Sequence, residues 1–264
     1  MQGELVLVGE LAGRADAYRT LAAAAGVPLR ALHAERSALV PVLWGEGLAA
    51  ARGTAVAFTI NECVVQEGWS RTLVDGLRGT TGGVGGRLRL DATASRTARA
   101  IFYLRYAAFL GTVDEPAREV RDVAGDNAAY RRDVLLRYPQ SLRHGFWEVE
   151  THHYMRADGV TLALLPGMDA SFGGAPRLAR LVRQRFAHGA HFGAWRVASG
   201  GRRRWQIVLA APLVPFALLM RAARAGARAG RPRGELASVV LPFLALATAW
   251  AVGEAVGAVA GRPG

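Results

Sequence analysis

The chain has 264 residues, is 51% apolar, and carries a net charge of +12. All of its basic residues are Arg and none is Lys, which excludes Schiff-base chemistry on a lysine and phosphate loops closed by a lysine. Cys63 is the only cysteine, which excludes an internal disulfide and a multi-cysteine zinc site.

The length suits one catalytic-sized domain plus an appendage. Met1-Gln2-Gly3-Glu4 is not a basic region leading into an apolar core, so no signal peptide is expected. Residues 4–9 form a β-branched apolar run that ends in glycine and reads as a buried parallel strand. Residues 15–25 read as a helix closed by Gly26, and 27–32 as a second strand. A helix is expected over 37–52, broken near Pro41, followed by a third strand over 54–59. Residues 69–77 read as the next helix. Strands alternating with helices point to an α/β domain with a mostly parallel sheet. In such sheets the ligand crevice lies beyond the carboxyl ends of the strands. Glu10 and Glu62 follow the first and third strands and are therefore candidate ligand contacts.

Gly82-Gly83-Val84-Gly85-Gly86 opens no helix, so it does not fit a dinucleotide fingerprint. It reads as a flexible turn or a close approach to a ligand, followed by a strand over 87–90. Residues 98–110 read as a helix and the polar stretch 112–123 as a loop near the site. Gly125-Asp126-Asn127 is a turn signal, with a helix expected over 128–136. Glu148 and Glu150 stand in a further helical run among Trp147 and other apolar neighbours. Carboxylates in a half-apolar setting can serve as general bases; the plain alternative is two solvated charges. His152, four residues after Glu148, shares its helical face. His188 and His191 have a helical spacing but no positioned carboxylate, a weak basis for a metal site. A strand over 161–165 and a helix over 176–196 follow.

Beyond the Arg-rich link at 199–204, residues 205–220 are uncharged and apolar, somewhat short of the roughly twenty needed to span a bilayer. Residues 236–260 are apolar except for Glu254 and are long enough to cross. Five arginines lie between the two segments, over 221–233. Basic clusters stay cytoplasmic, so the first segment is expected to dip in and return or to lie in the interface. A water-soluble helical hairpin is the alternative. The arginines concentrate beside apolar segments, which fits anionic lipid and not nucleic acid.

On these residues the chain resembles a family 2 glycosyltransferase of the GT-A type. Residues 4–10 resemble the strand that ends in the acidic nucleotide-binding turn. Residues 44–53, with the strand to Glu62 and on to Trp69, resemble the helix, strand and Asp-x-Asp region. Gly125-Asp126-Asn127-Ala128-Ala129-Tyr130-Arg131-Arg132 resembles the family's G-x-N-x-A-Y-R-R segment, and residues 146–159 resemble the segment that holds the catalytic base. The resemblance covers 4–196. It implies transfer of a sugar, with inversion, from a nucleotide-diphosphate sugar to a lipid-linked or cell-envelope polysaccharide acceptor. Glu148 falls at the base. Glu10, Asn61, Glu62, Asp126 and Asn127 fall at the nucleotide and donor, with Glu62 as ligand of a divalent cation, Mg or Mn. Trp147, Glu150, His152, Gly85 and Gly86 shape the acceptor side.

The departures are specific. Ile60 stands at the first Asp of Asp-x-Asp, and Glu148 stands where the family has Asp. Residues 4–9 match the family's second strand by distance to Glu62, so its opening strand has no counterpart. The expected architecture is a GT-A-like domain over 1–198, N-terminally shortened, and membrane-associated helices over 199–264. The expected place is the cell membrane, with the catalytic domain cytoplasmic. The rival expectation is a non-catalytic membrane-bound relative that binds a glycan or a protein partner.

Overall fold

The computed structural model describes residues 3–11, 13–79, 81–110 and 116–261. In chain order it begins with β1 (Leu5–Gly9), α1 (Ala15–Ala24), β2 (Leu29–His33), α2 (Val40–Ala50), β3 (Ala55–Thr59) and β4 (Cys63–Val65). Next come α3 (Trp69–Leu77), β5 (Gly83–Gly85), β6 (Leu88–Leu90), α4 (Arg96–Tyr106), β7 (Arg118–Val120) and β8 (Asn127–Arg131). Then follow α5 (Arg132–Leu135), α6 (Pro139–Leu142), α7 (Glu148–Ala157), β9 (Leu162–Leu164), β10 (Ala170–Phe172) and α8 (Leu178–Ala198). The C-terminal helices are α9 (Arg204–Ala210), α10 (Val214–Arg228), α11 (Arg233–Ala237) and α12 (Val240–Ala260).

The chain divides into two compact units. The first comprises the described residues of Met1–Ile60, Gly68–Gly85 and Ala117–Leu165; the second those of Asn61–Glu67, Gly86–Pro116 and Pro166–Gly264.

The first unit holds a five-stranded sheet in the order β3-β8-β5-β9-β7, and a separate parallel pair, β1 and β2. The mostly parallel sheet expected from the alternation is corrected. Within the five strands only β5 and β9 run parallel, while β8 is antiparallel to both its neighbours and β7 is antiparallel to β9. The helix expected over 128–136 is also corrected: β8 occupies its first half, and a single helical turn begins only at Arg132. Alanine favours a helix, but Ala128, Ala129 and Tyr130 are fully buried between β3 and β5, where cross-strand pairing overrides local propensity.

The expected turn at 82–86 is a buried strand instead. Its glycines serve close packing. A Cβ on Gly83 would stand 2.8 Å from Tyr130 Cε1, and one on Gly85 would stand 2.6 Å from Val123 Cβ. The polar stretch at 112–123 contains β7, and its residues 112–115 lie outside the described residues. Pro41 does not break a helix: it sits in the first turn of α2, where its missing N–H costs no hydrogen bond.

An aromatic core backs the sheet. Phe58 and Phe146 stack at 4.4 Å between centroids with planes 9° apart, and Trp44 and Tyr130 pack edgewise around Phe146. Offset stacking and edge contacts are the arrangements that the ring quadrupole favours. Trp44 comes from α2, Phe58 from β3 and Tyr130 from β8, so this cluster clamps the helix onto the sheet just below the strand ends.

The second unit is built on a three-stranded sheet in the order β4-β10-β6, with β10 antiparallel to β4 and parallel to β6. Helices α4 and α8 to α12 complete it. Two of its helical stretches, Arg204–Arg228 and Val240–Ala260, are long and apolar enough to cross a membrane.

Candidate active site

In the first unit the turn at Gly125 gathers several of the expected residues. Asn127 N–H closes the turn on the Ala124 carbonyl at 2.9 Å. Asp126 and Asn127 are fully buried. The Asn127 side-chain oxygen accepts a hydrogen bond of 2.7 Å from the Trp69 indole N–H at the start of α3. Trp44 donates its indole N–H to the Thr59 carbonyl at 3.1 Å, at the end of β3.

Gly125 is where glycine is required. A Cβ there would stand 2.7 Å from the Trp44 ring and 3.3 Å from the Glu148 carboxyl carbon. Its absence lets the Glu148 carboxyl lie against the backbone that leads into Asp126 and Asn127. Glu148 is the first residue of α7, with Glu150 in the same turn. The positive end of the helix dipole favours carboxylates there. Trp147 precedes the helix, almost fully buried, and donates its indole N–H to the His144 carbonyl at 3.1 Å.

His152 is fully buried one turn further along α7. Its Nε2 is 2.8 Å from the Tyr130 hydroxyl and its Nδ1 is 3.2 Å from Asp122 Oδ1. Arg156, a further turn along, donates to the same Asp122 oxygen at 3.0 Å. Burial pushes the Asp122 pKa up, but the hydrogen bond from His152 and the charges of His152 and Arg156 outweigh it and hold the carboxyl below its ordinary value. Burial, with the negative charges of Glu148 and Asp122, holds the Tyr130 hydroxyl protonated well above the ordinary tyrosine range. An ionised Asp122 can only accept. Nδ1 therefore carries a hydrogen toward it.

Asp122 gives a pH prediction. Its folded pKa lies below the ordinary 3.8, so its contribution to stability is fully present above that value. The contribution is lost as pH falls through the lower folded value. Asp122→Asn is expected to be less stable than the parent at pH 6 in urea unfolding, with the gap narrowing below about pH 4. An equal gap at both pH values would show that the ion pairs contribute nothing. Asp122 is not marked by the sequence, while Tyr130 and Arg156 enter only as members of the resembling segments 125–132 and 146–159. Arg156 sits four residues after His152 and was within reach of helical spacing, whereas Asp122 is thirty residues away from it with no local signal.

Glu10 also belongs to the first unit. It follows β1 and pairs at 3.4 Å with Arg36, both side chains exposed. Gly85 lies inside the sheet, in β5. Ile60 packs against the aromatic core.

Asn61, Glu62 and Gly86 belong to the second unit. Asn61 and Glu62 line a cavity of about 360 Å³ together with Asp91, Thr93, Ser171 and the glycines at 173 and 174. The Glu62 carbonyl accepts from Gly173 N–H at 2.9 Å, and Asp91 N–H donates to the Phe172 carbonyl at 2.9 Å, so β10 carries one cavity wall to each side. The Thr93 hydroxyl and the Thr93 N–H both donate to Asp91 Oδ1, at 2.5 and 2.7 Å, and hold the Asp91 carboxyl below its ordinary value. Asp91 was not expected from the sequence; its Asp-x-Thr spacing is the mark of a side-chain turn. Among the described residues no three His, Cys, Asp or Glu side chains converge as a metal site. The cavity thus offers two carboxylates, Glu62 and Asp91. Mg²⁺ or Mn²⁺ bound there would take its remaining oxygens from a bound diphosphate and water.

No family model matches this chain, and no curated protein matches it. Among solved structures the chain is similar to the mannosyltransferase PcManGT from Pyrobaculum calidifontis, in complex with GDP-Man and Mn²⁺. That match has 17% identity, 97% coverage of this chain, 65% of the other and a TM-score of 0.48. A crystal structure of a mycobacterial protein matches at 20% identity over 69% of this chain and 61% of the other, with a TM-score of 0.40. The chain spans less than two thirds of the length of either.

Proposed function

We propose that this protein is an inverting glycosyltransferase. It moves a sugar from a nucleotide-diphosphate sugar to a lipid-linked or cell-envelope polysaccharide acceptor at the cytoplasmic face of the cell membrane. The observation that carries the reading is Glu148: a carboxylate at the first turn of α7, laid against the Gly125 backbone beside buried Asp126 and Asn127. In-line attack by a hydroxyl needs one base to take its proton, and Glu148 is that base. Glu62, with Asn61 and Asp91, holds the divalent cation that offsets charge on the leaving diphosphate. Glu10 contacts the nucleoside. Asp126 and Asn127 shape the donor site, and Trp147, Glu150, His152 and Gly86 the acceptor side; Gly85, packed inside the sheet against Val123, drops out of it.

The test is transfer of labelled sugar from a panel of sugar nucleotides, with Mn²⁺, into an extract of membrane lipids and polysaccharide. The expected product has the anomeric configuration opposite to that of the donor. A retained configuration rules out the single-displacement role of Glu148.

One observation favours a second reading, a non-catalytic relative that binds a glycan or a protein partner. Ile60 is built into the core and supplies no ligand where the family has a carboxylate. Under that reading none of the sugar nucleotides is consumed.

A further inference from the structure

The two apolar helical stretches invite a transmembrane reading, but their packing inside the second unit opposes it. α12 lies backbone to backbone on α8. A Cβ on Gly253 would collide with the Phe186 backbone and one on Gly257 with the Ala190 backbone; Gly189 and Gly193 meet the backbones of Trp250 and Glu254 in return. The partner residues advance together, 186 with 253 and 190 with 257, so the helices run parallel. α8 is rich in arginine. Arg185 is buried over the Trp250 ring, and Arg196 pairs with buried Glu254. The link between α10 and α12 is fastened to α4. Arg96 donates to the Ser238 carbonyl at 2.6 Å, and Glu235 pairs with Arg99 at 3.7 Å and with Arg231 at 3.4 Å. For either stretch to cross a bilayer, α8 and α4 would have to enter the hydrocarbon with their arginines, which is costly.

α9 and α10 nevertheless expose a continuous apolar stripe. Trp205, Leu209, Leu213, Phe216 and Met220 are all more than half exposed. Their spacing puts them on one face of the helical stretch, about 22 Å long. The opposite face, with Ile207, Ala222 and Gly226, is buried in the unit. Exposed arginines bracket the stripe: Arg202 to Arg204 before it, and Arg221, Arg224 and Arg228 after it.

We infer that this stripe is a monotopic docking surface for an anionic lipid bilayer: α9 and α10 lie in the interface plane, and neither apolar stretch crosses the membrane. The charge pattern selects the occupant. A one-sided apolar face flanked by arginines gains both from burial at the acyl boundary and from attraction to anionic headgroups. The inference does not depend on the transfer reading.

The test uses the purified full-length chain and vesicles of phosphatidylcholine with or without phosphatidylglycerol. The protein is expected to float with the anionic vesicles far more than with the neutral ones, and to be released from native membranes by alkaline carbonate. Brominated acyl chains are expected to quench its fluorescence, and Trp205→Phe to remove most of that quenching. Leu209→Glu together with Phe216→Glu should lower vesicle affinity by at least about a hundredfold, which is what losing two buried apolar side chains implies, with the circular dichroism spectrum unchanged. Retention in the carbonate-washed pellet would show a spanning helix and overturn the inference. So would folded wild-type protein that ignores anionic vesicles, including one that instead covers Trp205 in a concentration-dependent dimer.

Discussion

Glu148→Gln is expected to lower sugar transfer by about a thousandfold, the middle of the range for loss of a positioned general base, if Glu148 is the base proposed above. The amide keeps the size and shape of the carboxylate, so the fit against Gly125 survives. The thermal midpoint and the affinity for the donor nucleotide are therefore expected to stay at parental values while kcat falls. Glu148→Asp keeps the carboxylate but shortens its reach, and should retain an intermediate rate. An amide variant with full turnover would mean that another group takes the proton.

Asp169→Asn is expected to destabilise the fold by about 3–5 kcal/mol, the cost of breaking a buried ion pair on one side. Asp169 is 2% exposed and immediately precedes β10, the middle strand of the second unit's sheet. Arg87 reaches it from Nε at 3.1 Å and Nη2 at 3.3 Å, and Arg89 from Nε at 3.2 Å and Nη2 at 2.7 Å. The amide preserves the volume and one acceptor oxygen but removes the carboxylate charge that both guanidiniums face in this buried cluster. The strand ends that wall the Glu62 and Asp91 cavity hang from this cluster, so that cavity loosens with it. Urea unfolding of parent and variant measures the effect. A loss below about 1 kcal/mol, the level of an exposed pair such as Arg19 with Asp16, would show that the cluster is not structural.

Local patterning made much of the secondary structure readable. The β-branched run at 4–9, the helix at 69–77 and the amphipathic run after Glu148 all carry their periodicity in adjacent residues, and each forms where expected, although β1 is partly exposed and not the buried strand expected. Ala128 and Ala129 were misread as helix because what makes them strand is burial between β3 and β5, chain segments more than forty residues upstream. Strand direction was unreadable for the same reason: no local residue records that β8 runs antiparallel to both neighbours. The glycines at 83 and 85 signalled close approach, but the approaching groups are Tyr130 and Val123, not a ligand. Around Glu148, the proximity of Gly125 follows from a fold that places two distant segments together. The Tyr130, His152 and Asp122 chain joins β8, α7 and the segment after β7, and only the helical spacing of His152 to Glu148 was visible beforehand. Asp91 escaped notice because its role depends on β6 and β10 lying side by side.

The measurement that tests the glycosyltransferase reading most directly is calorimetric titration of the purified protein with UDP and with GDP, each with and without Mn²⁺. The account predicts that one nucleotide binds and that Mn²⁺ strengthens its binding, since Glu62 and Asp91 present two carboxylates to a cation shared with the diphosphate. Folded protein that binds neither nucleotide, with or without Mn²⁺, would contradict it and leave the glycan- or partner-binding reading.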